Sequence, residues 1–269
     1  MMEFSISRNV FCKNSLIIKM KLLTLMFLIS LGFPQTEITV LKIQSTLRPF
    51  IIEDSILVNL ELIYNKNNSA KFSFKIKYVS SFPDLFTELN KSPQNTTMAM
   101  SSITITEERM KEYDFSSPYI ETKECLLTYH LNIDHDWTKA SKRIGYVEKT
   151  IEETRANLLK ANYPVQVIPF ATFRDRNEGV KTQEIDYYIG ESAHYWNDPH
   201  VKVVHTFEKR LGMGLGIMYL KGSELKAKLE KYIKYYCHSK GFYSTMQQTF
   251  GDSFKSYFEI DTVSTKQIP

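Results

Sequence analysis

The sequence predicts an α/β protein, a mainly parallel sheet flanked by helices. Three observations predict it. Between Ile38 and Met100 the apolar pattern switches from period two to about 3.6 and back, twice over. A second alternation of this kind runs from Arg143 to Gly190. The chain has 269 residues with 43% hydrophobic content, enough to bury a large core in one domain or two.

Ile38–Ser45 reads as a first strand, followed by a turn at Leu47-Arg48-Pro49-Phe50. Leu57–Asn65 is apolar at helical spacing. Phe72–Val79 alternates apolar and charged residues, as a strand does. Phe82, Leu85, Phe86 and Leu89 share one helix face. Thr97–Met100 completes a βαβαβ unit, which implies a parallel sheet with helices on both faces. Further strands are expected at Cys125–His130, Arg143–Val147, Val165–Phe170, Glu184–Gly190, Val201–Val204 and Gly214–Leu220. Thr150-Ile151-Glu152-Glu153 is a capping box opening a helix to about Ala161. Phe173–Val180, Ser223–Ser239 and Tyr243–Phe250 complete the helices.

The net charge is +4, but residues 1–32 carry +3 of it, from Arg8, Lys13, Lys19 and Lys21 against Glu3. The rest is nearly neutral, with no basic patch interleaved with aromatics, so nucleic acid is not an expected partner. Lys19 and Lys21 precede the apolar run Leu22–Leu31, too short to span a bilayer. With Ser30 and Gly32 before Phe33 it reads as a secretory signal over residues 1–32, with Met20 an alternative start. The polar residues 252–269 read as a C-terminal tail. Cys125 and Cys237 remain after the signal, and their pairing is left open. No cysteine or histidine spacing indicates a metal site: His130, His135, Asp136, His194 and His200 read as surface residues. No cofactor is expected.

The chemistry concentrates in Ser101–Tyr119, SSITITEERMKEYDFSSPY. Ser102 and Thr104 alternate with Ile103 and Ile105, so both hydroxyls share one face of an extended segment. Thr106 can cap a short helix with Glu107 and Glu108 in its favourable first turn. Arg109 sits one turn in, able to swing back toward Thr104. A guanidinium fork with hydroxyls and free N–H groups suits an α-carboxylate. Ser101 is a further candidate.

Thr104, Thr106, Arg109, Asp114, Phe115, Ser116, Pro118 and Tyr119 resemble the signature of the type II periplasmic solute-binding proteins, in their amino-acid-binding family 3 branch. The ligand-binding domains of ionotropic glutamate receptors are related to it. The resemblance covers roughly residues 38–251. It implies two α/β lobes joined by two crossing strands, with lobe one at 33–127 and 208–251 and lobe two at 128–207. It also implies a ligand between the lobes, membrane transporter subunits of the ABC type as partners, a periplasmic location and a monomer.

The same resemblance supplies the second half of the site. Where the family has Gly-Thr-Thr or Gly-Ser-Thr, this chain has Lys149-Thr150-Ile151, so Thr150 keeps the hydroxyl and Lys149 replaces glycine. Glu191, after Ile185-Asp186-Tyr187-Tyr188-Ile189, falls at the acid that binds the amino group. Arg109 and Glu191 would then bracket a zwitterion. The family's aromatic near Val58 is missing. Arg48 is a further candidate for the cleft. The reading is of a binding protein. The alternatives are a dehydratase of small carboxylic acids, using Glu191, His194 or Glu148, and a sensory module acting with a separate partner.

Overall fold

The computed structural model describes residues 35–44, 48–130, 136–192, 200–251 and 254. The strands are β1 (Gln35–Ile43), β2 (Lys71–Val79), β3 (Thr97–Ala99), β4 (Tyr113–Phe115), β5 (Glu124–Thr128), β6 (Arg143–Val147), β7 (Gln166–Phe170), β8 (Tyr187–Glu191), β9 (Lys202–Thr206) and β10 (Met218–Leu220). The helices are α1 (Arg48–Asn67), α2 (Phe82–Asn90), α3 (Glu107–Glu112), α4 (Ile151–Asn162), α5 (Phe173–Lys181), α6 (Glu224–Cys237) and α7 (Lys240–Phe250).

The strands form two sheets, ordered β2-β1-β3-β10-β4 and β7-β6-β8-β5-β9. In each, four strands run one way and the fourth in order is reversed. The reversed strand is the one the chain reaches on arriving from the other sheet: β5 on the way out, β10 on the way back. The two lobes thus repeat one topology. Each sheet is packed on both faces. Ile52, Ile56 and Leu60 of α1 join Leu229 and Ile233 of α6 over one face of the first sheet. Leu85 and Leu89 of α2 cover the other face with Leu41 and Ile103. Ala156 and Leu159 of α4 pack with Tyr187 and Ile189 on the second sheet, and Val180 packs opposite with Tyr188.

The crossing strands lie elsewhere than the sequence suggests. β5 and β9 belong wholly to the second sheet, so the boundary expected at 127/128 falls inside β5. The crossing is made by the segments on either side, held antiparallel by Tyr119 N–H to Leu215 O (2.9 Å), Leu215 N–H to Ile120 O (2.7 Å) and Phe207 N–H to Glu124 O (3.0 Å). Pro118, Gly212, Gly214 and Gly216 interrupt the alternation that would have marked them as extended. Gly214 has φ +105°, and a Cβ there would stand 2.7 Å from Ile120 O, so the crossing requires glycine.

Helix α1 also differs. It begins at Arg48, where a turn is expected, and runs 20 residues. Pro49 does not break it, because first-turn N–H groups need no helical acceptor. Phe50, Ile52, Ile56, Leu57 and Leu60 give its N-terminal half a buried face. Cys125 and Cys237 are buried free thiols. Residues 1–34 and most of the tail lie outside the described residues, but Phe254 is fully buried and packs on Tyr243 of α7.

Candidate functional site

The carboxyl ends of β1 and β3 open toward the junction of the lobes, where ligands of such sheets bind. The residues after β3 turn sharply there. Ser102 takes φ +51°, a left-handed conformation that L side chains rarely adopt. The chain then extends, and Thr104 bridges to Leu215. Thr106 caps α3 by accepting from Arg109 N–H at 3.2 Å. The cap fixes where Arg109 starts, and its side chain folds back: Nη1 donates to Thr104 O at 2.7 Å. The guanidinium lies over Phe82 and Phe86, 5.1 and 5.5 Å from their ring centres. Among the described residues no carboxylate pairs with it. Burial lowers its pKa to about 10, with Glu191 partly opposing, so it stays charged at neutral pH.

Glu191 enters from the other lobe, at the end of β8. Its Oε1 accepts from the Thr104 hydroxyl at 3.0 Å, a hydrogen bond that joins the two sheets. Its Oε2 is buried without a hydrogen-bond partner among the described residues. Burial raises the carboxyl to about 7, against the nearby hydroxyls of Thr122 and Thr104 and with Glu124 and Glu152 adding to the rise. A buried carboxyl with one oxygen unsatisfied calls for a donor or a cation.

The remaining sequence candidates are placed as follows. Ser102 is part-buried, and its hydroxyl has no partner among the described residues. Ser101 is tied to the scaffold, its Oγ accepting from Ile43 N–H at 2.9 Å. Thr150 caps α4, donating to Val147 O at 2.7 Å and accepting from Glu152 N–H at 3.2 Å. Lys149 is exposed with φ +59°, the backbone shape a glycine would take, and its N–H donates to Glu153 Oε2 at 2.7 Å. The N-terminus of α4 is thus served by the chain's own side chains: Glu152 Oε2 also accepts from Val147 N–H at 2.9 Å, and its Oε1 pairs with Arg176. The side chain of Arg48 and the whole of His194 and His135 lie outside the described residues. Glu148 is exposed. Among the described residues no group of His, Cys, Asp and Glu could hold a metal ion.

Two residues beside Ser102 were missed by the sequence. Glu53 of α1 is fully buried, and its Oε1 accepts from Ser102 N–H at 2.5 Å and from the Tyr119 hydroxyl. Lys42 of β1 is buried too, 3.4 Å from Glu53 Oε2 and 2.5 Å from Asp54 Oδ1. Burial raises the Glu53 carboxyl, with Lys42 opposing. The only available signal was a lysine interrupting the apolar β1 run, and the short reading of α1 hid its partner.

The second half of the Ser101–Tyr119 signature is structural. Asp114 accepts from Gly222 N–H at 2.8 Å, and Ser116 Oγ from Ile217 N–H at 3.0 Å. Tyr119 supports Glu53, and its hydroxyl is pushed well up in pKa by burial, with Glu53 and Glu191 adding to it.

Two mainly parallel lobes joined by two crossing segments form the architecture of a type II solute-binding protein. The chain belongs to the bacterial extracellular solute-binding proteins, family 3, whose model matches residues 58–251. Comparison with curated protein sequences finds no match. Among solved structures it is similar to an arginine transport-system periplasmic binding protein from Legionella pneumophila, at 20% identity and TM-score 0.60, covering 80% of this chain and 100% of that one. It is similar to the arginine-, lysine-, histidine-binding protein ArtJ from Geobacillus stearothermophilus at 18% identity and TM-score 0.63, covering 82% and 99%. An ancestral amino-acid-binding protein described as a precursor of cyclohexadienyl dehydratase is similar at 20% identity and TM-score 0.62, covering 80% and 95%. Among the described residues no helix is long and apolar enough to cross a membrane.

Proposed function

We propose that this solute-binding protein captures an α-amino acid between its lobes and presents it to an ABC-type membrane transporter. One observation carries the reading: Thr104 touches both Arg109, through its carbonyl, and Glu191, through its hydroxyl. A half-buried cation and a buried acid therefore stand on either side of one residue, across the lobe junction. That spacing suits the carboxylate and ammonium of a single zwitterion. Ser102 supplies a hydroxyl to the carboxylate end, while Thr104, whose hydroxyl donates to Glu191, holds the acid in place. Thr150, Lys149, Ser101 and Arg48 are assigned lesser roles, the first three because their hydroxyls or backbone groups are already engaged. The ligands named for the structural neighbours, arginine, lysine and histidine, support the amino-acid reading.

In this reading residues 1–32 direct export to the periplasm, and the protein acts there as a monomer. The lobes meet in the crossing segments, so closure desolvates both ligand ends together. A thermal-shift screen against the twenty amino acids tests it. The melting temperature rises with at least one of them by mass action, and the rise disappears in Arg109→Ala. No rise with any amino acid would contradict the proposal.

A second reading rests on Glu191. A buried carboxyl titrating at about 7 suits a general acid, and one structural neighbour is described as a dehydratase precursor. Turnover of a small carboxylic acid, abolished by Glu191→Gln, would favour it.

A further inference from the structure

Glu191 has two buried acids for neighbours, Glu124 at the start of β5 and Glu152 in the first turn of α4. Each of the two has an arginine of its own. Glu152 pairs with Arg176. Glu124 Oε2 accepts from Arg155 Nε at 2.8 Å, and the two side chains are only 7% and 8% exposed. Arg155 comes from α4 and reaches the returning segment as well: its Nη2 donates to Lys209 O at 2.5 Å, and its guanidinium lies 4.4 Å from the Phe207 ring centre. Glu124 Oε1 in turn accepts from Leu211 N–H at 2.7 Å. Glu191 forms no ion pair among the described residues, and its Oε2 is left without a hydrogen-bond partner there.

Glu124 stands directly opposite Glu191 in the antiparallel pairing of β5 with β8. Opposed residues project from the same face of a sheet with their Cβ atoms about 5 Å apart, and like charges in that relation repel. An unpaired Glu124 carboxylate would therefore keep Glu191 protonated, and a protonated acid does not hold an ammonium by charge. We propose that Arg155 is a positioning residue for the cleft acid: it holds Glu124 in a buried ion pair and so leaves Glu191 free to ionise against the ammonium group of a ligand. The identity of that ligand rests on the amino-acid reading of the same cleft. The other groups facing Glu191 leave this task to Arg155. Arg109 of α3 is committed to the carboxylate of the ligand in that reading. The Tyr119 hydroxyl and the Cys125 thiol are both pushed up in pKa by burial and stay neutral. Glu152 is matched by Arg176 and acts from a helix, not from the adjacent strand.

The test is a pH titration of Glu191 by carbon-13 NMR, on the full chain labelled at its glutamate side-chain carboxyls, the signal being identified by its loss in Glu191→Gln. Glu124→Gln leaves Arg155 as an unbalanced cation opposite Glu191 and should lower its titration midpoint by about one pH unit or more. Arg155→Met leaves Glu124 unbalanced and should raise the midpoint by a similar amount. Arg155→Met/Glu124→Gln removes both charges and should return the midpoint close to the wild-type value. Opposite shifts that cancel in the double variant are a pattern that loosened packing does not produce. Arg155→Met leaves a buried charge alone; where it does not fold, Glu124→Gln and the double variant decide. An unchanged midpoint in Glu124→Gln overturns the proposal, as does a shift in the double variant as large as in Glu124→Gln. The titration needs no amino acid. Failure of the amino-acid reading shows separately, as the absence of a thermal shift with any of the twenty amino acids.

Discussion

Thr104 links the two lobes through Glu191: its hydroxyl donates to Glu191 Oε1 at 3.0 Å while its carbonyl accepts from Arg109 Nη1 at 2.7 Å. One residue thus sets the relative positions of the acid and the base of the cleft.

The Glu191 carboxyl, held at about 7 in the fold against an ordinary 4.5, makes stability depend on pH. The folded protein binds more protons than the unfolded chain between these values. Stability therefore falls as pH rises from about 4.5 to about 7, by up to roughly 3 kcal/mol from this group. Glu53, Glu61 and Glu152 are raised as well and act in the same direction. Urea unfolding without added amino acid should show a shallower pH slope in Glu191→Gln than in wild type. Identical slopes would contradict the assignment.

An ammonium favours the ionised form of Glu191. Amino-acid affinity should rise from pH 5 to 7 and then level off, with proton release on binding near pH 6.5. Titration in two buffers of different ionisation enthalpy measures that release directly. Affinity that is flat with pH would remove Glu191 from the ammonium end.

Arg109→Lys keeps a charge but loses the planar fork and its stacking on Phe82 and Phe86. The expected cost is about 10- to 100-fold in amino-acid affinity, with little change in melting temperature. Calorimetry on the variant checks it, and wild-type affinity would show that the fork is not used.

Arg176 is fully buried, bonded to Glu152 and to Ile189 O at 2.8 Å, with Tyr188 beneath it at 4.6 Å. Arg176→Met leaves the Glu152 charge buried alone and should cost about 3–5 kcal/mol. Adding Glu152→Gln should recover much of that. Chemical unfolding of the single and double variants gives both numbers.

Gly214→Ala forces a side chain onto φ +105° and toward Ile120 O. A loss of about 1–3 kcal/mol is expected, read from the urea midpoint. A neutral result would mean that the crossing segments yield more easily than their hydrogen bonds suggest.

Much of this architecture was legible, because the helices and strands of both sheets carry their periods openly. Arg143–Val147 and the Thr106 and Thr150 caps are local patterns with local causes. The crossing segments were not legible, since pairing between residues near 119 and 215 is set by tertiary contact and interrupted by glycines. α1 was read short because Pro49 looks like a stop when its place in a first turn is unknown. Of the candidate site, Arg109, Thr104 and Glu191 came from one motif and one resemblance, and the structure brings these three together. Lys42 and Glu53 have no motif: their meeting depends on where α1 begins. Thr150 shows the opposite limit, where a hydroxyl at a helix start is equally suited to a ligand and to its own helix.

The most direct measurement is a titration that separates the two ends of the ligand. The L-amino acid giving the largest thermal shift is compared with its N-acetyl and its primary-amide derivatives. The account predicts that each derivative binds at least about 10-fold more weakly, that Arg109→Ala removes the penalty for the amide alone, and that Glu191→Gln removes the penalty for the N-acetyl form alone. A derivative that binds as well as the parent amino acid would contradict the bracketing of a zwitterion by Arg109 and Glu191.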